Sequence, residues 1–342
     1  MNQIVGHETI LALLERTALR STPAHSYLFT GSEGIGKKLV ALRFIRQLNC
    51  PEGANDPQGT CSVCRRITGS NHPDVQIVRP ERGSIRIEQA RGIHHFFKFP
   101  PSEGRWRICL IDDAHLLNRS AQNALLKTME EPPASRILFL VTSKPYLLLP
   151  TVRSRCRRIR FGALSNQSVA KVLEEIKQVS PDESFILASM AGGSVQEALR
   201  LDNPTFRDMR KRLIDALSRG GVIGFGEIMG LSAAIAADLD TARDAIRISM
   251  SWLRDLLSVR CLDEESRVIN QDSLSVLKDL SERFSPRQLL AAYNELVATL
   301  SLIESEINVN RNLATDVMFL RLTRLLRNPD PKGDDVFGEL IP

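Results

Sequence analysis

Between residues 25 and 161 the chain alternates short apolar runs with stretches in which apolar side chains recur every three or four positions. The short runs are rich in β-branched and aromatic residues, as buried strands are, and the spaced pattern is that of amphipathic helices. Runs of strand length lie at 27–30, 75–78, 108–111, 137–141 and 158–161. Because strands that alternate with helices form parallel sheets covered by helices, we predict an α/β fold with a mostly parallel sheet.

Helical patterns dominate after residue 161, where the strand signals fade. We therefore predict four parts along the chain: an α/β domain at 1–163 with an inserted module at 50–72, a small helical domain at 164–204, an all-helical domain at 205–328 and a tail at 329–342. Asn203-Pro204 marks the boundary between the two helical domains. The tail is rich in proline, glycine and aspartate, a composition typical of disorder.

Composition and charge narrow the classes of function. The chain has 342 residues, with 45 Lys and Arg against 40 Asp and Glu, so its formal net charge is +5. This excess permits contact with nucleic acid without requiring it. No run approaches the roughly 20 apolar residues of a membrane-spanning helix, and the first residues lack the apolar segment of a secretion signal. We therefore expect a cytoplasmic protein with no membrane partner.

A glycine-rich segment, GSEGIGKK, begins at Gly31, directly after the first predicted strand and at the start of a helical pattern. Gly31, Gly34 and Gly36 let backbone N–H groups turn around a phosphate, and Lys37 supplies positive charge. A strand-to-helix turn without a ligand is the alternative interpretation. The P-loop motif continues with a Ser or Thr whose hydroxyl holds Mg²⁺, and here that residue is Lys38. Nucleotide binding at this site is therefore open, and metal-assisted hydrolysis is in doubt.

A second segment, RICLIDD, is an apolar strand that ends in Asp112 and Asp113. In a Walker B segment the first carboxylate helps to position Mg²⁺, and the second acid, usually Glu, orients the attacking water. Asp113 is one methylene shorter than Glu, and a displacement of about 1 Å can cost on the order of 10²-fold in rate. A solvated turn after a strand is the alternative. For His115 we expect packing or hydrogen bonding rather than catalysis.

The region after these aspartates carries the most specific pattern. Residues 118–133 read NRSAQNALLKTMEEPP and residues 149–156 read LPTVRSRC, with Thr142 between them. These motifs resemble the bacterial clamp-loader family of AAA+ proteins, and they are similar in particular to its DNA polymerase III delta prime branch. The likeness is close over residues 3–161 and looser beyond. It implies an AAA+ P-loop domain followed by a helical lid domain and an all-helical collar domain.

The resemblance also implies roles for individual residues. Ser154-Arg155-Cys156 stands where the family has its SRC motif. Arg155 is therefore expected to reach the γ-phosphate of ATP bound by a neighbouring subunit, as an arginine finger acting in trans. Thr142 stands at the sensor-1 position of the nucleotide site. Gln196 stands where motor subunits of the family carry a sensor-2 arginine.

Three departures from the motor-subunit pattern, at Lys38, Asp113 and Gln196, fall in one nucleotide site. They favour a largely non-hydrolysing delta prime-type subunit. The alternative is an ATP-hydrolysing motor subunit, or another AAA+ ATPase of replication or repair. A second alternative is a DNA-binding protein that uses the arginines between Arg153 and Arg160. Because Ile159 lies among those arginines, alternate side chains are expected to point into the core.

Three of the six cysteines, Cys50, Cys61 and Cys64, cluster where the resembling family inserts a zinc module with four cysteines. Spacing places the missing ligand at Gln58, and an amide is a poor Zn²⁺ ligand. Either Asp56 or a water molecule completes a tetrahedral site, or the thiols stay reduced and metal-free. Zinc is thus an open expectation.

The partners that the resemblance implies are the other subunits of a pentamer-like hetero-oligomer, a sliding clamp and primed DNA. The sequence shows no aromatic-rich base-reading motif, so any DNA contact is expected to be with the backbone. The cofactor expected is ATP at a neighbouring subunit's site.

Overall fold

The computed structural model describes residues 4–20, 22–50, 59–132, 134–220, 224–262, 268–305 and 309–327. These residues form two compact units, the first within Met1–Gln178 and Gly192–Glu197 and the second within Val179–Ala191 and Ala198–Pro342. The predicted lid at 164–204 is divided between the two units, so its separation as a domain stays a prediction. The predicted tail at 329–342 lies outside the described residues.

A five-stranded sheet forms the centre of the first unit. Its strands are β1 (Ser26–Thr30), β2 (Val75–Val78), β3 (Arg107–Ile111), β4 (Arg136–Thr142) and β5 (Arg157–Arg160). They lie in the order β2-β3-β4-β1-β5, and every pair of neighbours is parallel. The structure therefore confirms the predicted parallel sheet and the position of each predicted strand to within one residue at either end.

Helices cover both faces of this sheet. They are α1 (Glu8–Leu19), α2 (Lys37–Asn49), α3 (Ser62–Thr68), α4 (Ile87–Lys98), α5 (Arg119–Glu130) and α6 (Pro150–Ser154). The first unit also contains α7 (Asn166–Lys177). Side chains alternate across each strand, so Phe29 lies in the same core cluster as Phe44 of α2 on one face, whereas Leu28 lies in the same cluster as Leu125 of α5 on the other. Because both faces are covered, β1 is buried at every position.

The second unit is helical over its described residues, as predicted. It contains α8 (Pro181–Met190), α10 (Pro204–Leu217), α11 (Phe225–Ile235), α12 (Leu239–Leu262), α13 (Leu274–Ser281), α14 (Pro286–Glu304) and α15 (Arg311–Arg327), and the division between the units falls within α9 (Val195–Leu201). The long helix α12 packs against α10, α13 and α14 and buries Trp252. Its buried Asp255 accepts hydrogen bonds from the backbone N–H groups of Ile269 and Asn270.

Asn203 begins α10 by accepting a hydrogen bond from the backbone N–H of Phe206 at 2.9 Å, and Pro204 occupies the first turn. Both residue types are typical of helix starts. The residues that the sequence marked as a domain boundary thus form a helix cap in the structure. Across the described residues, no helix is both long and apolar enough to span a membrane.

Candidate nucleotide site and exposed arginine

The predicted P-loop connects the end of β1 to the start of α2. Gly31, Gly34 and Gly36 all have positive φ, at 151°, 73° and 92°. A Cβ on Gly34 would lie 2.2 Å from the Oγ atom of Ser194, so this position has room only for glycine. Gly36 precedes the first residue of α2, where exposed N–H groups and the helix dipole favour an anion. The described backbone therefore has the shape of a phosphate-binding loop.

Lys37 is buried and folds back onto this loop. Its Nζ atom donates to the carbonyl oxygen of Gly31 at 2.8 Å and to that of Ser32. Burial lowers the pKa of the Lys37 ammonium, while the negative charges of Glu33, Asp113 and Asp112 act in the opposite direction. In this arrangement the Lys37 ammonium group donates its hydrogen bonds to carbonyl groups of its own loop.

Lys38, the residue that replaces the expected hydroxyl, forms an ion pair with Asp112, the first aspartate of the predicted Walker B segment. Its Nζ atom lies 2.6 Å from Oδ2 of Asp112, with side-chain exposures of 32% and 18%. Mg²⁺ requires oxygen ligands in near-octahedral geometry, and an ammonium group has no lone pair to offer. The donor set at this point therefore does not fit Mg²⁺.

Asp113 and Thr142 lie on neighbouring elements at the same end of the sheet. Asp113 has a left-handed backbone with φ of 49°, and burial together with the charge of Asp112 raises the pKa of its carboxyl group. The Oγ1 atom of Thr142 lies 3.3 Å from Nδ1 of His115 and accepts from the backbone N–H of Lys144 at 3.0 Å. His115 thus has the hydrogen-bonding contact that its sequence context predicted.

Two further segments contact the P-loop. The backbone N–H of Gln196 donates to the carbonyl oxygen of Gly34 at 3.4 Å, which brings the predicted sensor-2 position to the loop. Nε2 of His7 lies 2.9 Å from the carbonyl oxygen of Ile35. Sequence reasoning did not single out His7. The signal available for it was a glycine followed by a polar residue directly before α1, and both residues have positive φ.

Arg155 follows α6, and none of the hydrogen bonds described for it reaches the P-loop. Its Nη2 atom donates to Oε1 of Glu130 at 2.7 Å, and its Nη1 atom donates to the carbonyl oxygen of Thr151 at 3.0 Å. The side chains of Arg155 and Glu130 are 35% and 47% exposed. The guanidinium group is therefore held in place by a solvent-exposed carboxylate, which sequence reasoning had not identified.

Strand β5, at one edge of the sheet, carries the other arginines of this region. Arg157, Arg158 and Arg160 are exposed, whereas Ile159 and Phe161 are buried. The predicted burial of the apolar side chains is confirmed.

The structure brings the three clustered cysteines together. Their Sγ atoms lie within 4.8 Å of one another, and those of Cys50 and Cys61 are 3.4 Å apart. The backbone N–H of Cys64 donates to Sγ of Cys61 at 3.3 Å and lowers the pKa of that thiol. Three thiolates are ligands that Zn²⁺ prefers. The predicted positions of a fourth donor, Gln58 and Asp56, lie outside the described residues.

Comparison with known proteins adds to this geometry. Residues 6–165 match the family described as DNA polymerase III, delta subunit, and residues 206–324 match the family described as DNA polymerase III, delta subunit, C terminal. The DNA polymerase III subunit delta' of Bacillus subtilis is 28% identical over 319 residues, covering 91% of this chain and 95% of that protein. The chain belongs to the delta prime family of DNA polymerase III clamp-loader subunits.

A second delta prime relative, from Pseudomonas aeruginosa, is 27% identical over 328 residues and covers 92% of this chain and 96% of its own. The tau subunit of Bacillus subtilis DNA polymerase III is 34% identical over 204 residues, but the match spans 58% of this chain and 36% of that protein. A solved structure described as a DNA polymerase III gamma subunit-related protein of Thermotoga maritima has a TM-score of 0.46 and 17% identity, covering 93% of this chain and 99% of its own.

For this delta prime family member the parallel sheet covered by helices and the mostly helical C-terminal region are as predicted from the sequence. Within the first unit, the structure brings together the glycines and lysines of the predicted P-loop, the two aspartates and the predicted sensor positions. It places Arg155 elsewhere, with Glu130 as its partner.

Proposed function

We propose that this chain is the delta prime subunit of a DNA polymerase III clamp loader. In this role it joins the other loader subunits in a pentamer-like hetero-oligomer in the cytoplasm, and that assembly places a sliding clamp on primed DNA. Relatives of nearly the same length named subunit delta' support this proposal, since they match the chain across both of its units.

The role proposed for Arg155 is to act in trans on ATP bound by a neighbouring subunit. The observation that carries this role is the exposed guanidinium group, held only by Glu130 and the carbonyl oxygen of Thr151 among its described contacts. A planar guanidinium fork is suited to two oxygen atoms of a phosphate. An exposed ion pair contributes little free energy, on the order of 0–1 kcal/mol, so a γ-phosphate can displace Glu130 at small cost.

The chain's own nucleotide site is proposed not to hydrolyse ATP. Lys38 stands in place of a metal-binding hydroxyl and forms an ion pair with Asp112. Asp113 supplies a shorter acid than the Glu that usually orients water. Gln196, which contacts the P-loop through its backbone, lacks the positive charge of a sensor-2 arginine. Each of the three features is expected to reduce ATP hydrolysis at this site.

The second candidate is an ATP-hydrolysing motor subunit. It is favoured by the tau relative, whose 34% identity over 204 residues exceeds that of the delta prime relatives. The tau match spans little more than a third of that protein, whereas the delta prime matches span nearly all of theirs. Steady ATP turnover by the isolated chain would favour the motor subunit.

DNA contact is proposed to be restricted to the phosphate backbone. The exposed arginines Arg157, Arg158 and Arg160 on β5 offer positive charge. The aromatic residues beside them, Tyr27 and Phe161, are buried and therefore not available for stacking on bases. Duplex binding that weakens steeply with salt and does not depend on sequence is the expected behaviour.

Zinc is proposed at Cys50, Cys61 and Cys64, held less firmly than at a site with four thiolates. Elemental analysis of protein purified without chelator, before and after dialysis against EDTA, tests this. We expect less than one zinc per chain, removable by EDTA. One tightly held zinc that survives dialysis would show that a strong fourth ligand is present.

The experiment that tests the central proposal replaces Arg155 in a reconstituted loader. Arg155→Ala should leave assembly intact on size-exclusion chromatography and slow clamp loading, because an arginine finger contributes on the order of 10³- to 10⁵-fold in rate at its own site. The loss in the whole assembly will be smaller if other ATP sites continue to fire. Arg91→Ala, which removes an exposed arginine from α4 in the same unit, is the matched control. Equal loading by wild type and Arg155→Ala would refute the role in trans.

A further inference from the structure

The P-loop contains a cation of its own at the point where the motif normally recruits one. P-loop nucleotide sites hold Mg²⁺ between a Ser or Thr hydroxyl after the loop lysine and an acidic residue at the end of a neighbouring strand. Here the two positions are those of Lys38 and Asp112, and their side chains contact each other. The ammonium group of Lys38 lies 2.6 Å from Oδ2 of Asp112.

The positions of these two residues keep the contact in place. Lys38 lies in the first turn of α2, and Asp112 directly follows β3, whose backbone is fixed by hydrogen bonds to β2 and β4. The backbone N–H of Asp112 also donates to the carbonyl oxygen of Val78 at 3.0 Å. The carboxylate is 18% exposed, so water screens the ion pair less than it would a pair on an open surface.

The two lysines of the loop also disfavour a divalent ion. Glu33, Asp112 and Asp113 face Lys37 with three negative charges that would attract a cation, but Lys37 and Lys38 already place two positive charges there. Mg²⁺ would have to displace the Lys38 ammonium and then remain close to it, since the side chain is anchored by α2. Like charges at such separations repel strongly where water is partly excluded.

We propose that the Lys38 ammonium takes the place of Mg²⁺ in this P-loop, so that the site is closed to Mg²⁺ and any polyphosphate it accepts is bound as the metal-free anion. The ammonium neutralises Asp112 and leaves its remaining hydrogens for a phosphate oxygen. This deepens the proposed non-hydrolysing role. It concerns binding alone, so its failure would leave the roles of Arg155 and of the assembly untouched.

The test measures ADP binding to the full chain by isothermal titration calorimetry, in buffer with Mg²⁺ in excess over nucleotide and in buffer with EDTA. For the wild type we expect no strengthening of ADP binding by Mg²⁺, whether the affinity is measurable or absent in both buffers. For Lys38→Thr, which restores a hydroxyl and frees Asp112, we expect ADP to bind at least about tenfold more tightly with Mg²⁺ than with EDTA. Lys38→Ser serves as a second variant if Lys38→Thr unfolds.

Lys171→Thr is the matched control, because it makes the same chemical change at an exposed lysine of α7 in the same unit. It should behave as the wild type does in both buffers. Tenfold tighter ADP binding by the wild type when Mg²⁺ is added would overturn the proposal. So would the absence of any Mg²⁺ effect in folded Lys38→Thr and Lys38→Ser, because the lysine would then not be what keeps the metal out.

Discussion

The first unit contains two ion pairs of the same charge type whose settings differ. In the P-loop, Lys38 pairs with an aspartate that is 18% exposed and follows a strand within the sheet. Below α6, Arg155 pairs with a glutamate that is 47% exposed and ends α5. In the enclosed pair, Lys38 and Asp112 neutralise each other within the chain. In the open pair, another anion can replace the Glu130 carboxylate as the partner of Arg155, as the proposed role on a neighbour's nucleotide requires.

This contrast supports the proposal that one domain retains a P-loop and acts on the nucleotide of a partner. Each positive charge of the loop has an internal acceptor, in the carbonyl groups for Lys37 and in Asp112 for Lys38. The described partners of the Arg155 guanidinium group are ones that solvent can replace. A nucleotide-binding shape and a role in trans are therefore compatible within the same sheet.

Of the changes that test the difference between the two ion pairs, Arg155→Lys in a reconstituted loader is expected to have the largest effect, on the rate of clamp loading. The variant keeps the positive charge but loses the planar fork, so clamp loading should fall close to the level of Arg155→Ala, where the loss at the single site is on the order of 10³-fold or more. Clamp-loading rate and DNA-stimulated ATPase are the measurements. Full activity with lysine would mean that charge alone is sufficient and that bidentate contact is not required.

The two ion pairs should also differ in their contribution to stability. Asp112→Asn is expected to lower the free energy of unfolding by about 1 kcal/mol, at the upper end for partly exposed pairs, and Glu130→Gln by about 0.3 kcal/mol. Calorimetric unfolding of the isolated chain at low and high salt compares them, and salt should weaken the Glu130 contribution more. A larger loss for Glu130→Gln would reverse the assignment of enclosed and open pairs.

A smaller effect of opposite sign is expected at Asp113. Because burial and Asp112 raise the pKa of this carboxyl group above its usual 3.8, ionisation is less favourable in the folded chain than in the unfolded one. The charge therefore lowers stability at neutral pH, and this penalty disappears as the pH falls below the unfolded pKa. Asp113→Asn should stabilise the chain at pH 7 and have no such advantage near about pH 3.

The asparagine introduced by Asp113→Asn also tolerates the left-handed backbone at this position, so the comparison is free of added strain. Unfolding followed across pH measures the difference. A stability gain that persisted unchanged at acidic pH would exclude the charge of Asp113 as its cause.

No effect is expected from Lys37→Ala on ATP turnover by the isolated chain. Turnover in the wild type is already expected to lie below about 1 s⁻¹, the lower end of typical enzyme rates. Steady-state ATPase assays on both proteins are the check, with circular dichroism to confirm folding. Measurable wild-type turnover that disappears in Lys37→Ala would favour the motor subunit. It would also contradict the proposed difference between the P-loop and the Arg155 region.

Much of the candidate site was visible in the sequence because its parts are local. The P-loop follows from glycine spacing between a strand and a helix, and the aspartates follow from an apolar strand that ends in acids. The SRC segment identified Arg155 by resemblance. Backbone conformation and short motifs depend on neighbouring residues, and sequence patterns record such neighbours directly.

The tertiary structure alone decided which distant side chains meet. Lys38 and Asp112 are 74 positions apart, and Glu130 and Arg155 are 25 apart. The sequence indicated that Lys38 removes a metal ligand, but the ion pair that replaces it depends on where α2 and β3 lie around the sheet. Likewise, Glu130 meets Arg155 because α5 and α6 pack together on one face. Such contacts depend on strand order and helix packing, which involve the whole domain and are not encoded in any single segment.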